Sequence, residues 1–464
     1  MEEVFTPDVN VDYSGPPAVL HLPTEVCENI IDMLYSEYAD DTVENIATLH
    51  SCSLVCRDWR VRSQRMLFYK VQLADGTSLH RLSTILDAAQ DLRGYVHGVD
   101  LLGYHLQTTA SIFTLFPVVL AGKLPNLRRI DILHVPQGST WFPRTSDLPA
   151  KAKSLPYIPL HPRFPTFLSS FTAVSILRLE STTFRSFSEF ARMLHGLPNL
   201  ETLACDGVRW ITLGGADFTK PPYWVAWRRI LPPFAPKLRT LWLLDIPMDG
   251  AERLILTRGP HLVWLEMTIP LSSDSIEEPA RGGGIDLSSC PGLQTLEISL
   301  ARGFSMVTHA GFVNELLTSW EPQHLEPVLV LRVYQESQFT RRGFADILRG
   351  LGTVIETWLQ TVEEPSSAGG SEDHHGVQYR LLVVIYDWEA EREWWSDHVD
   401  TCFPTWLQLG LLSWDFNTPL SAPFQWAAEK ESPQSDAIPQ SQLEDVTSSS
   451  SSKGDLSAHA SEVA

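Results

Sequence analysis

Residues 124–133 read LPNLRRIDIL, a short turn signal followed by apolar positions Leu127, Ile130 and Ile132. The last two lie two apart, so an extended chain puts them on one face and Arg129 and Asp131 on the other. The same L-x-x-L-x-L spacing recurs in Val96-Val99-Leu101, Val174-Leu177-Leu179, Leu200-Leu203-Cys205 and Leu238-Leu241-Leu243. It returns in Leu262-Leu265-Met267, Leu293-Leu296-Ile298 and Val328-Leu331-Val333. A proline often introduces the unit, as in LPNL at 124 and 197, APKL at 235, GPHL at 259 and CPGL at 290. Between the units lie segments of helical period: Leu79, Leu82, Ile85 and Leu86; residues 110–121; Phe187, Phe190, Ala191 and Leu194. Others carry Trp224, Trp227, Ile230 and Leu231, or Phe312, Leu316 and Leu317, or Phe344, Ile347 and Leu348 within a helix over 343–359.

A helix and strand of this size cannot hide their apolar faces alone, whereas stacked copies bury one another. The expected fold class is therefore α/β, with parallel strands in a solenoid. An ordinary open α/β sheet also fits helix–strand alternation. The units resemble leucine-rich repeats, in irregular form: 24 residues separate Leu238 from Leu262, and 47 separate Leu127 from Val174. The asparagine or cysteine of the regular repeat is mostly missing. In such an arrangement the residues flanking the leucines line the concave face. Arg129, Asp131, Arg178, Glu180, Trp242, Trp264, Glu266, Glu297, Arg332 and Tyr334 are the candidate target-binding set. Trp, Tyr and Arg are the side chains that dominate binding energy at interfaces.

Ahead of the repeats stands LPTEVCENIIDMLYSEYADDTVENIATLHSCSLVCRDWRVRSQRMLFYKV, residues 22–71. Pro23 suits a helix start, and Val26, Ile30 and Leu34 make an apolar stripe behind it. Asp41 and Glu44 have capping-box spacing for a second helix through Leu49 and Leu54. Asp58 can cap a third, with Trp59, Ser63, Met66 and Leu67 inward. Three such helices have more apolar surface than they can cover among themselves. The pattern LPxEVxxxIIDxL, then CSLVCRxWR, then RxLF, resembles an F-box, especially the form abundant in mushroom-forming fungi. The longer acidic connection from Ser36 to Thr42 departs from the compact family pattern. The resemblance implies docking on the Skp adaptor of a cullin ubiquitin ligase through Leu22, Pro23, Val26, Ile30, Leu34, Leu54, Val55, Cys56 and Trp59. It further implies a non-catalytic subunit whose repeat domain holds an unknown protein substrate. Two other readings fit the same residues: a non-ligase F-box scaffold, and an enzyme with a site in the tryptophan-rich C-terminal part.

The expected organisation is a flexible N-terminus (1–18), the F-box (19–72) and the repeat domain (73–426). Insertions are expected near 134–170 and 363–376, and a disordered Ser-rich acidic tail over 427–464. Residues 380–386 form an apolar strand, and Trp388, Trp394, Trp395, Trp406, Trp414 and Trp426 are placed to cover the end of the stack. The chain has 35 basic and 56 acidic residues, a net charge of −21, which disfavours nucleic acid and anionic membranes as partners. Its longest apolar run, 112–122, is too short to span a bilayer, and the acidic N-terminus lacks a secretory signal's apolar core. Six scattered cysteines lack zinc-ligand pairing and imply buried thiols in a reducing compartment, cytoplasmic or nuclear.

No catalytic, metal or cofactor constellation emerges. His374 and His375 lie in a Gly/Ser-rich loop, and Gly282–Gly284 lacks the lysine and flanking elements of a phosphate loop. Glu389, Glu393, Asp397 and His398 have the spacing of a helix's wet face. Arg57, Arg60, Arg62 and Arg65 read as a solvated face of the third front helix.

Overall fold

A computed structural model of the chain describes residues 23–34, 42–102, 111–133, 157–212, 235–268, 285–300, 306–324, 326–334, 341–363, 378–387 and 391–417. It begins with three helices: α1 (Thr24–Met33), α2 (Thr42–Val55) and α3 (Arg57–Tyr69). Helix α3 runs without a linker into β1 (Lys70–Leu73), the first strand of the sheet. Then follow α4 (Gly76–Ala88), β2 (Gly98–Leu102), α5 (Ile112–Leu120), β3 (Arg129–Leu133), α6 (Phe164–Leu168), β4 (Ile176–Glu180), β5 (Thr183–Ser186) and α7 (Phe187–His195). The middle holds β6 (Thr202–Asp206), β7 (Arg209–Thr212), β8 (Thr240–Leu244), α8 (Met248–Arg258), β9 (Trp264–Thr268), β10 (Thr295–Leu300) and α9 (Met306–Thr318). The last elements are β11 (Val328–Tyr334), α10 (Arg341–Glu363), β12 (Arg380–Tyr386), α11 (Arg392–Cys402), α12 (Pro404–Gln408) and β13 (Leu412–Asn417).

Eleven strands make one sheet in the order β1-β2-β3-β4-β6-β8-β9-β10-β11-β12-β13, every neighbouring pair parallel. β5 and β7 form a separate parallel pair. The fold is thus α/β with strands following one another in chain order. All eight repeated units fall on strands of the large sheet, and the apolar strand expected at 380–386 is β12. β1, β13 and the β5–β7 pair add to that expectation.

Register makes the repeat physical. Val71, Val99, Ile130, Leu177, Leu203, Leu241, Leu265, Leu296, Leu329, Leu381 and Leu412 form one unbroken row across the sheet. This row and the next, Leu73 to Trp414, belong to or pack on the hydrophobic core together with Leu79 and Leu86 of α4, Phe113 and Phe116 of α5, and Phe190 of α7. Each fully buried Leu or Phe contributes about 1.5–3 kcal/mol.

The proline turns have a common geometry. The N–H groups of Leu127, Leu200, Leu238, Leu262 and Leu293 each donate to the carbonyl three residues back, at 3.0–3.4 Å. Four of those turns carry proline at the second position, where its fixed φ matches the turn, and so does Ala235-Pro236. After each turn, two successive N–H groups share one carbonyl of the preceding strand's entry. Arg128 and Arg129 donate to His97 (2.8 and 3.1 Å), and Glu201 and Thr202 to Ser175 (2.8 and 2.9 Å). Val263 and Trp264 donate likewise to Arg239 (2.8 and 3.0 Å).

The second part of the insertion expected near 134–170 is built into the fold rather than crossing the surface as a loop. Residues 134–156 lie outside the described residues, but Ile158, Phe164, Leu168 and Phe171 are buried in the core. α6 fills the helical layer there, with Phe164 against Phe113 and Phe171 stacked on Phe116. Trp395 and Trp406 are wholly buried beside the last strands, and Trp394 and Trp414 pack on the same core. Trp388, Trp426, the helix expected around Trp224–Leu231, the 1–18 and 427–464 segments and the 363–376 insertion lie outside the described residues, except Glu363, which ends α10. No helix among the described residues is long and apolar enough to cross a membrane.

Candidate binding surfaces

In the front helices α3 packs against both α1 and α2. Cys27 and Ile31 of α1 and Leu49, Cys52 and Ser53 of α2 face inward, with Ser63 of α3 fully buried between. The inward stripe of α1 is therefore one residue offset from Val26, Ile30 and Leu34. Val26, Ile30 and Met33, spaced four and three apart on one helical face, point outward; Ile30 is 43% exposed and Ile31 1%. Leu54, Val55 and Cys56 at the end of α2 are exposed too, as is Pro23, while Trp59 and Leu34 are half-buried. Leu22 and Asp41 lie outside the described residues. Helix α3 starts at Arg57 behind an extended Cys56, so Asp58 sits in its first turn and is not its cap. Of the arginines expected on a wet face, Arg57, Arg60 and Arg65 are exposed, but Arg62 Nε donates to Asp32 Oδ1 at 2.6 Å. That bond holds the Asp32 carboxyl below its ordinary range.

All ten candidate target-binding residues fall on the sheet face opposite the leucine rows. Asp131, Arg178, Trp242, Glu266 and Glu297 share a single register row, which also contains Gln72, Asp100 and Ala204. Arg129 and Trp264 lie one row before it, and Glu180 and Arg332 one row after. Tyr334 is one row further, its ring stacked on Tyr386 at 4.6 Å. Asp131, Glu180, Glu266 and Glu297 are buried, whereas Trp242 and Trp264 are 37% and 36% exposed. Arg332 pairs with Glu297 and also donates to the Tyr386 hydroxyl at 3.3 Å. Ser299 Oγ donates to Glu266 Oε1 at 3.1 Å, and burial raises the Glu266 pKa.

A charged network was not foreseen at the helix–sheet junction. Lys70, the first residue after α3, places Nζ 3.0 Å from Asp100 Oδ1 and 3.3 Å from Asp131 Oδ2. Arg129 Nε lies 2.8 Å from Asp131 Oδ2. Burial raises the Asp100 pKa to about 6 against the pull of Lys70. The alternation in Lys70-Val-Gln-Leu73 was the available signal, since it extends the sheet by one strand directly from the helix.

Glu393 and Asp397 are exposed on α11 and do not converge, and Glu389 lies outside the described residues. Gly282–Gly284, His374 and His375 also lie outside. Among the described residues no group of three His, Cys, Asp or Glu side chains is placed to hold a metal ion. Cys27, Cys52, Cys205, Cys290 and Cys402 are buried free thiols, and Cys56 is exposed. Neither known protein families nor curated proteins give a match to this chain.

Proposed function

We propose that the chain is a substrate-recognition subunit of a Skp–cullin–F-box ubiquitin ligase. The front helices are the F-box, and the parallel sheet with its single helical layer is an irregular leucine-rich-repeat-like solenoid. One observation carries this reading above the others: Val26, Ile30, Leu54 and Val55, matched to the family's docking positions, are exposed to solvent. They are not sealed beneath the downstream strands. An apolar helix face left uncovered in this way calls for a partner. Val26 and Ile30 on α1 would enter the adaptor's apolar cleft, with Leu54, Val55 and the edge of Trp59 completing the contact. The chain would perform no bond chemistry. It would raise the effective concentration of a target lysine beside the charged ubiquitin-conjugating enzyme.

The direct passage from α3 into β1, with no intervening linker, suits that role. It ties the docking helices closely to the sheet that carries the ten candidate residues. The test is capture of the purified Skp adaptor by the full chain, compared with Ile30→Asp combined with Trp59→Ala. Capture by the wild type and loss in the double variant support the proposal. Capture indifferent to both changes contradicts it, and co-purification of the cullin separates a ligase subunit from a non-ligase scaffold.

A further inference from the structure

Trp242, Trp264 and Glu266 meet at one point of the sheet face. Glu266 is the direct register neighbour of Trp242 on the next strand, about 4.8 Å away in backbone spacing. Trp264 precedes Glu266 by two residues on the same strand, hence on the same face, about 6.6 Å along it. On the other side of Trp242 the row continues with Ala204, which adds only a methyl group. Among the Trp, Tyr and Phe side chains whose exposure is described, none is as exposed as these two indoles. On a face of β8 to β11 with two carboxylates and one guanidinium, Arg332 makes its ion pair with Glu297 and offsets the Glu266 charge only from a distance. Glu266 takes its hydrogen bond from the neutral hydroxyl of Ser299.

We infer that these three side chains form a recognition point for a cationic side chain, guanidinium or ammonium, borne on an extended segment of a partner protein. Charge complementarity selects this occupant. An indole face attracts a cation within about 6 Å of its centroid, and the Glu266 carboxylate, neighbour to both indole-bearing positions, supplies the counter-charge. A purely apolar segment pressed onto the same indoles would further desolvate Glu266 without compensating its charge, which is costly. The net charge of −21 steers a basic segment toward the chain in the first place. The inference rests on the target-binding half of the proposed function and names its substrate class; it does not depend on adaptor docking.

The test uses the full chain and a set of Gly/Ser-framed peptides that differ only in a central Arg, Lys, Gln, Leu or Glu, with binding followed by calorimetry. The Arg and Lys peptides are expected to bind about tenfold more tightly than the Gln and Leu peptides, and the difference should shrink with added salt. The relative strength of Arg and Lys identifies which cation is preferred. Glu266→Gln should abolish most of the preference for Arg over Gln, and Trp264→Ala, at an exposed position, should weaken Arg binding about tenfold. Equal or tighter binding of Leu or Glu overturns the inference. So does the absence of binding to any peptide, or a preference unchanged in both variants. Adaptor capture is measured on the same preparations. Capture without cation preference defeats this inference alone, and cation preference without capture defeats the docking proposal alone.

Discussion

Arg62 on α3 clasps Asp32 on α1 with both arms of its guanidinium, Nε reaching Oδ1 at 2.6 Å and Nη2 reaching Oδ2. The two residues are 30 apart in sequence, and their bond fixes the angle at which α1 presents Val26 and Ile30. Both side chains remain partly exposed, so the pair contributes at most about 1 kcal/mol to stability. Its larger expected effect is on docking geometry. Asp32→Ala or Arg62→Ala should lower the melting temperature slightly and weaken adaptor capture more, and the charge-swapped double variant should recover both. Because the pairing lowers the Asp32 pKa, its contribution is present above the unfolded carboxylate pKa of about 4 and disappears as pH falls through the folded value. Melting curves of wild type and Asp32→Ala should therefore converge on acidification.

Adjacent residues on α1 should give opposite phenotypes. Ile31, 1% exposed, faces the module's interior, so Ile31→Asp should cost more than about 3 kcal/mol and unfold the front helices. Ile30, 43% exposed, faces solvent, so Ile30→Asp should change stability by no more than about 0.5 kcal/mol. Helical circular dichroism with adaptor capture separates the two cases. Ile31→Asp loses both signals and Ile30→Asp loses capture alone. Equal loss of helicity in both would show that Ile30 is a core residue.

Much of the sheet was legible from local pattern because eight of its eleven strands repeat the same demand. Two alternate residues must be buried and a turn must close before them, so Leu127, Ile130 and Ile132 announce their strand without help from distant residues. The face opposite followed from alternation alone, which is why the ten candidate residues share it. What escaped depends on pairing partners. Lys70-Val-Gln-Leu73 is too short to stand out until β2 is beside it, and β13 needs the edge of β12. Arg62 looked like one of four solvated arginines, since nothing local ties it to Asp32. On α1, hydrophobicity runs on both sides of Ile30-Ile31, so periodicity found an apolar stripe without deciding which half turns inward.

The junction network should make stability pH-dependent. Asp100 is buried with Asp131 beside it, and Lys70 only partly offsets the cost of its charge. With a folded pKa raised to about 6, the folded chain holds a proton that the unfolded chain releases near pH 4. Stability contributed by Asp100 is therefore full below about pH 4 and falls as pH rises to about 6, by an amount on the order of 3 kcal/mol. Asp100→Asn should flatten that slope, because Lys70 retains Asp131 as its counter-ion. Urea unfolding at a series of pH values checks it, and an unchanged slope in the variant would assign the dependence elsewhere.

Two glycines in helices should respond oppositely to the same change. Gly352 lies within α10 where it packs on the end of α11, and a methyl group there would collide with the Cys402 carbonyl oxygen. The backbone atom cannot rotate away, so the helices must separate. Gly352→Ala should destabilise the chain by about 1–3 kcal/mol, despite alanine's better helix propensity. Gly311 lies on the exposed side of α9 with nothing within 4 Å of an added Cβ. Gly311→Ala should therefore stabilise by roughly 0.5–1 kcal/mol, through reduced freedom of the unfolded chain and better helix propensity. Thermal melts of the two variants, run beside the wild type, should shift in opposite directions. An upward shift in both would mean that α10 and α11 are not held at the distance Gly352 permits, and a downward shift in both would mean that Gly311 is not in open space.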